Sequence, residues 1–278
     1  MDKMNLNINT RILLNNGIEI PVMGFGTYKL TNKKSVRESV TAALEAGYRL
    51  IDTAQMYGNE KYVGAAVRES GIPREEIFVT TKLDNDQHGY DKARKSFDES
   101  VDRLNLGYID LFLIHWPVEG LRIESWRALT EIYNQRGVKA IGVSNYTIRH
   151  LKELFKTSDV KPAVNQVEFN PFNYQSKLLS FCKENGIRLE GYTPLSRTNK
   201  FNNPVVQNLS AKYSKTPAQI FLRWSIQHNV IPIPKSSHRK RIKENGDIFD
   251  IDIEGQDMEK LDSLNENYRL AMDPHRIE

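Results

Sequence analysis

Asp52, Tyr57, Lys82 and His115 are the side chains whose types and spacing are suited to chemistry. Asp52 ends the run Arg49-Leu50-Ile51-Asp52, Lys82 follows Ile77-Phe78-Val79-Thr80, and His115 follows Ile109-Asp110-Leu111-Phe112-Leu113-Ile114. The intervals are 30 residues (52 to 82) and 33 (82 to 115), and 30 more reach Asn145 beside Ser144. Each is about one strand-plus-helix unit, so separate strand ends can converge on one pocket. Tyr57 lies five residues past Asp52, close enough to fold back over the mouth. A free tyrosine, with a pKa of about 10, is a poor proton shuttle at neutral pH. A nearby ammonium lowers that pKa, and a carboxylate holds the ammonium charged and in place. Asp52 and Lys82 could form that pair, with Tyr57 as a tuned general acid and His115 donating a hydrogen bond that orients a substrate oxygen. The set suits a carbonyl oxygen that becomes an alkoxide and must be protonated.

Taken singly, these residues have plainer readings. A strand-end Asp and Lys read equally well as a structural salt bridge, and His115 ahead of Trp116-Pro117 as a core histidine. Their common register is what favours the chemical reading. A metal-dependent hydrolase using Asp52, His115 and Glu168 is a second reading. Lys82 would set a positive charge beside that cation, and the sequence has neither a His-x-His pair nor an HExxH helix, so no metal is expected.

The elements that must carry these residues are eight short apolar runs. Besides the three above they are Val22-Met23-Gly24-Phe25-Gly26, Ala140-Ile141-Gly142-Val143, Val164-Asn165-Gln166-Val167, Ile187-Arg188-Leu189-Glu190 and Val230-Ile231-Pro232-Ile233. Helical periodicity separates them. Val36, Val40, Ala43 and Leu44 recur ahead of a left-handed stop at Gly47, Trp126, Leu129 and Tyr133 ahead of Gly137, and Ile148, Leu151 and Phe155 behind the capping candidates Asn145 and Thr147. This pattern predicts an α/β fold, a (β/α)₈ TIM barrel forming a single domain over residues 1–278. The segment from Leu6 to Ile20, around Asn15-Asn16-Gly17, reads as an N-terminal β-hairpin capping the barrel bottom. A doubly wound sheet is the rival, but Gly24-Phe25-Gly26-Thr27 lacks the third glycine of a dinucleotide fingerprint and opens no helix.

Barrel chemistry sits at the C-terminal strand ends. The remaining polar residues there are Ser144, Asn145, Gln166, Tyr192 and Lys235. After the last strand, five Lys or Arg fall in the nine residues from Lys235 to Lys243. On composition alone this is a solvated charge run. By position it matches the phosphate site of many barrels, with Lys235, Ser236, Ser237 and Arg241 for phosphate and Glu244 and Asn245 for a ring amino group. A phosphate-bearing adenine nucleotide satisfies the cluster, Tyr192 could stack on a nicotinamide ring, and Ser144, Asn145 and Gln166 suit its carboxamide. The net charge of +4, from 39 basic against 35 acidic residues, does not call for nucleic acid. A single cysteine, Cys182, allows no internal disulfide, and no signal-length or membrane-length apolar stretch occurs. The expectation is a soluble cytoplasmic monomer with a small-molecule partner and no membrane.

On these residues the sequence closely resembles the aldo-keto reductase superfamily, from about Gly17 to Asn245. Gly47-Tyr48-Arg49-Leu50-Ile51-Asp52-Thr53-Ala54 with Tyr57-Gly58-Asn59-Glu60 is similar to the family's first signature. Thr81-Lys82-Leu83, Leu113-Ile114-His115-Trp116-Pro117, Gly142-Val143-Ser144-Asn145-Tyr146, Asn165-Gln166-Val167-Glu168 and Ile233-Pro234-Lys235-Ser236 follow in order. The resemblance implies metal-free reduction of an aldehyde or ketone by NADPH, with Tyr57 as proton donor, Lys82 lowering its pKa, Asp52 partnering Lys82 and His115 orienting the carbonyl. It implies cofactor contacts at Gly26, Thr27, Tyr28, Asp52, Ser144, Asn145, Gln166, Tyr192, Thr193, Pro194, Leu195 and Ser196, then at Lys235, Ser236, Ser237, Arg241, Glu244 and Asn245. The substrate would meet Tyr28, Tyr57, His115 and Trp116. Asn170 and Thr193 replace a more frequent histidine and serine. The short segment from Trp116 to Trp126 and the brief stretch after Asn267 look like those of small prokaryotic-type reductases of aldehydes, keto-sugars and glyoxals. Some relatives are instead redox-sensing subunits of membrane channels; that role needs a docking extension, and this chain has only a short polar lead.

Overall fold

The computed structural model describes residues 6–277. Two short strands, β1 (Arg11–Leu13) and β2 (Glu19–Pro21), form an antiparallel hairpin. Eight parallel strands follow: β3 (Phe25–Gly26), β4 (Leu50–Asp52), β5 (Phe78–Leu83), β6 (Ile109–Ile114), β7 (Val138–Ser144), β8 (Val164–Glu168), β9 (Arg188–Tyr192) and β10 (Ile231–Pro232). They neighbour one another in sequence order, and helices cover their outer face. Those helices are α1 (Lys33–Glu45), α2 (Glu60–Glu69), α3 (Tyr90–Leu104), α4 (Arg122–Asn134), α5 (Ile148–Phe155), α6 (Ser176–Glu184), α7 (Pro204–Tyr213) and α8 (Pro217–Gln227), with α9 (Arg239–Gly246) and α10 (Gly255–Asp262) after the last strand. The fold is the expected (β/α)₈ barrel. Among the described residues no helix is long and apolar enough to cross a membrane.

Every expected strand is present, but the first and last are shorter than their apolar runs. The closing seam explains this. Gly24 and Gly26 donate backbone N–H groups to the carbonyls of Pro232 and Pro234, both at 3.0 Å. Prolines have no N–H to return, so the seam lacks the reciprocal bonds of a regular ladder. Gly24 also permits a close approach: a Cβ there would lie 2.7 Å from the Leu50 side chain and 2.8 Å from Ile233.

Side chains alternate between two cores. Ile51, Val79, Phe112, Ile114, Ile141, Val143 and Leu189 point out to the helices. Leu50, Phe78, Leu111, Leu113, Ala140, Val164, Ile231 and Ile233 fill the barrel, and Leu14 and Ile20 of the hairpin segment close it from below. The turn is tied to the bottom by Asn15 Nδ2 on the Pro162 carbonyl (2.9 Å) and Asn16 Nδ2 on that of Lys139 (3.0 Å). Continuing the inward phase upward gives Asp52, Lys82, His115, Ser144, Gln166, Tyr192 and Lys235. One parity thus sets both the apolar plug and the polar layer above it.

Helix ends follow the local sequence. Gly47, at φ +96°, lets Tyr48 N–H reach the Ala43 carbonyl (3.0 Å) and Gly47 N–H that of Leu44 (3.1 Å), which stops α1 and delivers the chain to β4. Thr147 caps α5 in a box with His150. Asn145, the other capping candidate, sits instead at φ +63° in the mouth of the barrel.

Candidate active site

Lys82 stands at the centre of the polar layer, fully buried. Its Nζ lies 2.7 Å from both carboxylate oxygens of Asp52, 2.9 Å from the Thr53 carbonyl and 3.4 Å from the Tyr57 hydroxyl. Three N–H groups with three kinds of acceptor satisfy the ammonium, as a buried charge requires.

Tyr57 is brought there by one turn of 3₁₀ helix, Gln55–Tyr57, ended by Gly58 at φ +64°. Residues on both sides hold the turn. Gln55 donates to the Ser96 carbonyl (3.0 Å) and Ser100 Oγ (2.8 Å) and accepts from Asp84 N–H (2.8 Å). Asn59 accepts from Thr53 Oγ1 (2.6 Å) and donates to the carbonyls of Thr27 and Leu30. Glu60 accepts from Thr81 Oγ1 (2.7 Å) and Arg103 Nε (2.6 Å). The Asn-Glu pair of the signature is therefore a clamp behind Tyr57, outside the cavity. The Tyr57 ring lies 5.1 Å from that of Tyr28 and meets His115 edge-on at 5.8 Å.

Two polarities of the site follow. Burial, then the Asp52 charge, then Tyr28 push the Tyr57 hydroxyl well above the ordinary tyrosine value. In the free site burial outweighs the lowering expected from Lys82. Asp52 neutralises the ammonium at 2.7 Å, so no net positive field outweighs desolvation in the free site. Burial, with the charges of Lys82 and His88, holds His115 well below the usual imidazole range. His115 is thus neutral at pH 7, with one ring nitrogen a donor, and its buried Nδ1 has no partner among the described residues.

These groups floor a cavity of about 490 Å³. Of the sequence-derived site residues, Gly26, Tyr28, Asp52, Tyr57, His115, Trp116, Asn145, Gln166, Tyr192, Thr193, Pro194, Leu195 and Lys235 line it. Lys82 lies under them. Thr27 is buried, with its hydroxyl on the Asp52 carbonyl (2.9 Å), and Ser144 donates to the Gln166 carbonyl (2.8 Å). Asn145 is engaged at both ends, donating to the His115 carbonyl (3.0 Å) and accepting from the Tyr192 hydroxyl (2.8 Å). Ser196 is buried with an unpartnered hydroxyl among the described residues. Ser236 accepts from His238 N–H (3.1 Å), Ser237 and Arg241 are exposed, Glu244 is half-buried and Asn245 is buried, all on or just before α9. Arg239 of the same cluster pairs with Glu45 of α1. The structure thus joins the four chemical residues closely and leaves the basic helix beside the cavity, reached through Lys235.

Several lining residues had no local signal. Leu270 and Ala271 return from the C-terminal stretch because their N–H groups bond the Glu168 carboxylate at 2.9–3.0 Å. Lys29, Met56, Arg197 and Thr198 come from loops. Burial, and then the Lys29 charge, lower the Lys235 pKa. Two ammonium groups that repel across a cavity edge fit an anionic ligand such as a cofactor phosphate.

Comparison with known proteins decides the family. Residues 22–266 match the model of the aldo/keto reductase family. The chain belongs to that family. It is 43% identical over 274 residues to a glyoxal reductase of Bacillus subtilis, covering 99% of each chain. It is 40% identical to an aldo-keto reductase from a Medee basin deep-sea metagenome library, with a TM-score of 0.92 over 96% of this chain and 99% of that one. A Bombyx mori aldo-keto reductase in complex with NADP is 34% identical, with a TM-score of 0.90 over 96% of each chain. Aldo-keto reductases are oxidoreductases that act on carbonyl groups with nicotinamide cofactors.

Proposed function

We propose that this aldo-keto reductase reduces an aldehyde or ketone carbonyl to the alcohol with NADPH, Tyr57 giving the proton. The observation that carries the reading is the Tyr57 hydroxyl at the cavity surface, 3.4 Å from the Lys82 ammonium and beside a neutral His115. When bound, the nicotinamide supplies a hydride. The protein supplies a protonated phenol, since the raised pKa keeps Tyr57 in its acid form at rest. As its proton moves to the substrate oxygen, negative charge grows on the phenolic oxygen. Lys82, fixed by Asp52, is already oriented to stabilise it. His115 donates one N–H to the same substrate oxygen and aligns the carbonyl.

Residues present fit the cofactor. Tyr192 would face the nicotinamide ring, with Ser144, Asn145 and Gln166 at its carboxamide. Gly26, Thr27, Tyr28 and Thr193 to Ser196 would flank its extended body. Lys235, Ser236, Ser237 and Arg241 would take the 2′-phosphate, with Glu244 and Asn245 at the adenine. The NADP complex of the Bombyx mori relative supports NADPH over NADH. Tyr28, Tyr57 and Trp116 would form the aromatic wall for the substrate. The glyoxal reductase relative supports a small aldehyde.

The test follows nicotinamide absorbance with NADPH and glyoxals, an aromatic aldehyde, a keto-sugar and a plain ketone. Sustained consumption is expected. Tyr57→Phe should lower kcat by about 10²–10⁴-fold, the usual range for a general acid, with cofactor affinity unchanged. Comparable turnover by that variant would sink the assignment.

A further inference from the structure

The barrel interior holds one acidic side chain that the reaction above does not use. Glu190, on β9, is fully buried and shares the inward phase of Tyr192. Gln166 lies directly opposite it in the β8–β9 register. The Gln166 Nε2 group donates to Glu190 Oε2 and to Asp52 Oδ2, each at 2.8 Å. Both N–H hydrogens of the amide are thus held by carboxylates. The alternative rotamer would turn the amide oxygen onto Asp52, where two acceptors would repel. With Nε2 fixed, the amide oxygen is the end left over. It takes no hydrogen bond from any described residue, and Gln166 lines the cavity.

We propose that Glu190 is a positioning residue that, with Asp52, locks the Gln166 amide so that its oxygen faces the cavity and accepts an N–H from the ligand's carboxamide. The inference rests on the nicotinamide reading of the site and adds the group that orients its reader. Glu190 acts through Gln166 and touches neither cofactor nor substrate. Its other oxygen, Oε1, has no partner among the described residues. A buried carboxyl with half its bonding unmet is a poor stability device, because orphaned polar atoms destabilise a fold.

The test compares NADP⁺ with its 3-acetylpyridine analogue, which keeps the carbonyl and lacks the amide N–H. Dissociation constants are measured by fluorescence titration, so the readout does not depend on turnover. The wild type should prefer the carboxamide by about fivefold, the worth of one neutral hydrogen bond. In Glu190→Leu and Glu190→Ala, run in parallel in case one fails to fold, that preference should fall, because Asp52 then holds the Gln166 amide by one hydrogen bond instead of two. Glu190→Gln, which still offers an oxygen to Gln166, should restore it. A merely structural role would weaken both ligands equally and leave the ratio intact. A retained ratio in the Leu or Ala variant overturns the proposal, as does a wild type that binds both ligands equally. A wild type that binds neither overturns the nicotinamide reading along with it.

Discussion

Glu190→Gln also makes a sharp prediction about stability. Burial, and then the Asp52 charge, raise the Glu190 carboxyl from 4.5 to about 7, with the Gln166 bond and Lys82 acting the other way. A carboxyl whose folded pKa lies above its unfolded one binds its proton more tightly in the native state. Its ionisation therefore destabilises the fold progressively as pH rises from about 4.5, and the loss is complete above about 7. At about 1.4 kcal/mol per unit, the interval amounts to roughly 3 kcal/mol. Glutamine does not titrate and escapes this loss. It sets an amide nitrogen where Oε1 had no partner, which adds a destabilisation of about 1–3 kcal/mol that is independent of pH. The slope, not the offset, is the test. Buried His115 acts in the opposite sense, because its lowered pKa makes stability rise with pH, but it does so equally in both chains and cancels. Equilibrium urea unfolding of both proteins at a series of pH values from about 4.5 to 8 gives the difference in ΔG. That difference should move in favour of the glutamine variant by about 3 kcal/mol across the series. Parallel curves would refute the reasoning and mean that Glu190 is solvated or paired in solution.

Lys82→Met should destabilise by about 3–5 kcal/mol, because it strands the Asp52 carboxylate in a buried site. Asp52→Asn added to it should recover much of the melting temperature and none of the turnover; a single variant melting like wild type would contradict the pairing argument. Arg241→Ala should weaken NADPH about tenfold or more and leave NADH nearly unchanged, as the loss of a charge-assisted phosphate contact requires. Equal weakening of the two, by titration, would remove Arg241 from the 2′-phosphate.

The barrel and its chemical four were legible because each rests on a local pattern. Short, near-continuous apolar runs separated by helical runs locate the strands, and the alternation of side chains along a strand then fixes which residues reach the top. Asp52 and His115 are the next inward positions above Leu50 and Leu113, and Lys82 stands two inward steps above Phe78. The ends of β3 and β10 were not legible, since Val22 and Ile233 look like strand residues until the prolines opposite Gly24 and Gly26 are seen to leave the seam half-bonded. Leu270 and Ala271 escaped for a different reason. They reach the cavity only through Glu168, about 100 residues away in the chain, and no periodicity encodes that return. Glu190 did carry a signal, a charged residue at the inward parity of an apolar run. Its meaning depended on Gln166 lying across from it.

The Tyr57 pKa shows why residue types alone misjudge an active site. From the sequence, a lysine near a tyrosine argues for an easily ionised phenol. In the fold, Asp52 reaches the lysine first, bidentate at 2.7 Å, while the phenol stands farther off at 3.4 Å. The pair is nearly neutral as seen from Tyr57, and burial decides the direction. A raised pKa keeps the phenol protonated at rest but makes it a weaker acid, so proton transfer depends on Lys82 stabilising the charge that develops on its oxygen. The free site therefore holds Tyr57 in the protonated form that the proposed reduction starts from. Oxidation of an alcohol would need the phenolate, which becomes favourable only if a new positive charge enters beside Tyr57. The reverse reaction should accordingly gain rate with rising pH far more steeply than reduction does. Matched pH profiles for the two directions, measured on one alcohol–carbonyl pair, would expose the difference, and superimposable profiles would rule out Tyr57 ionisation as its origin.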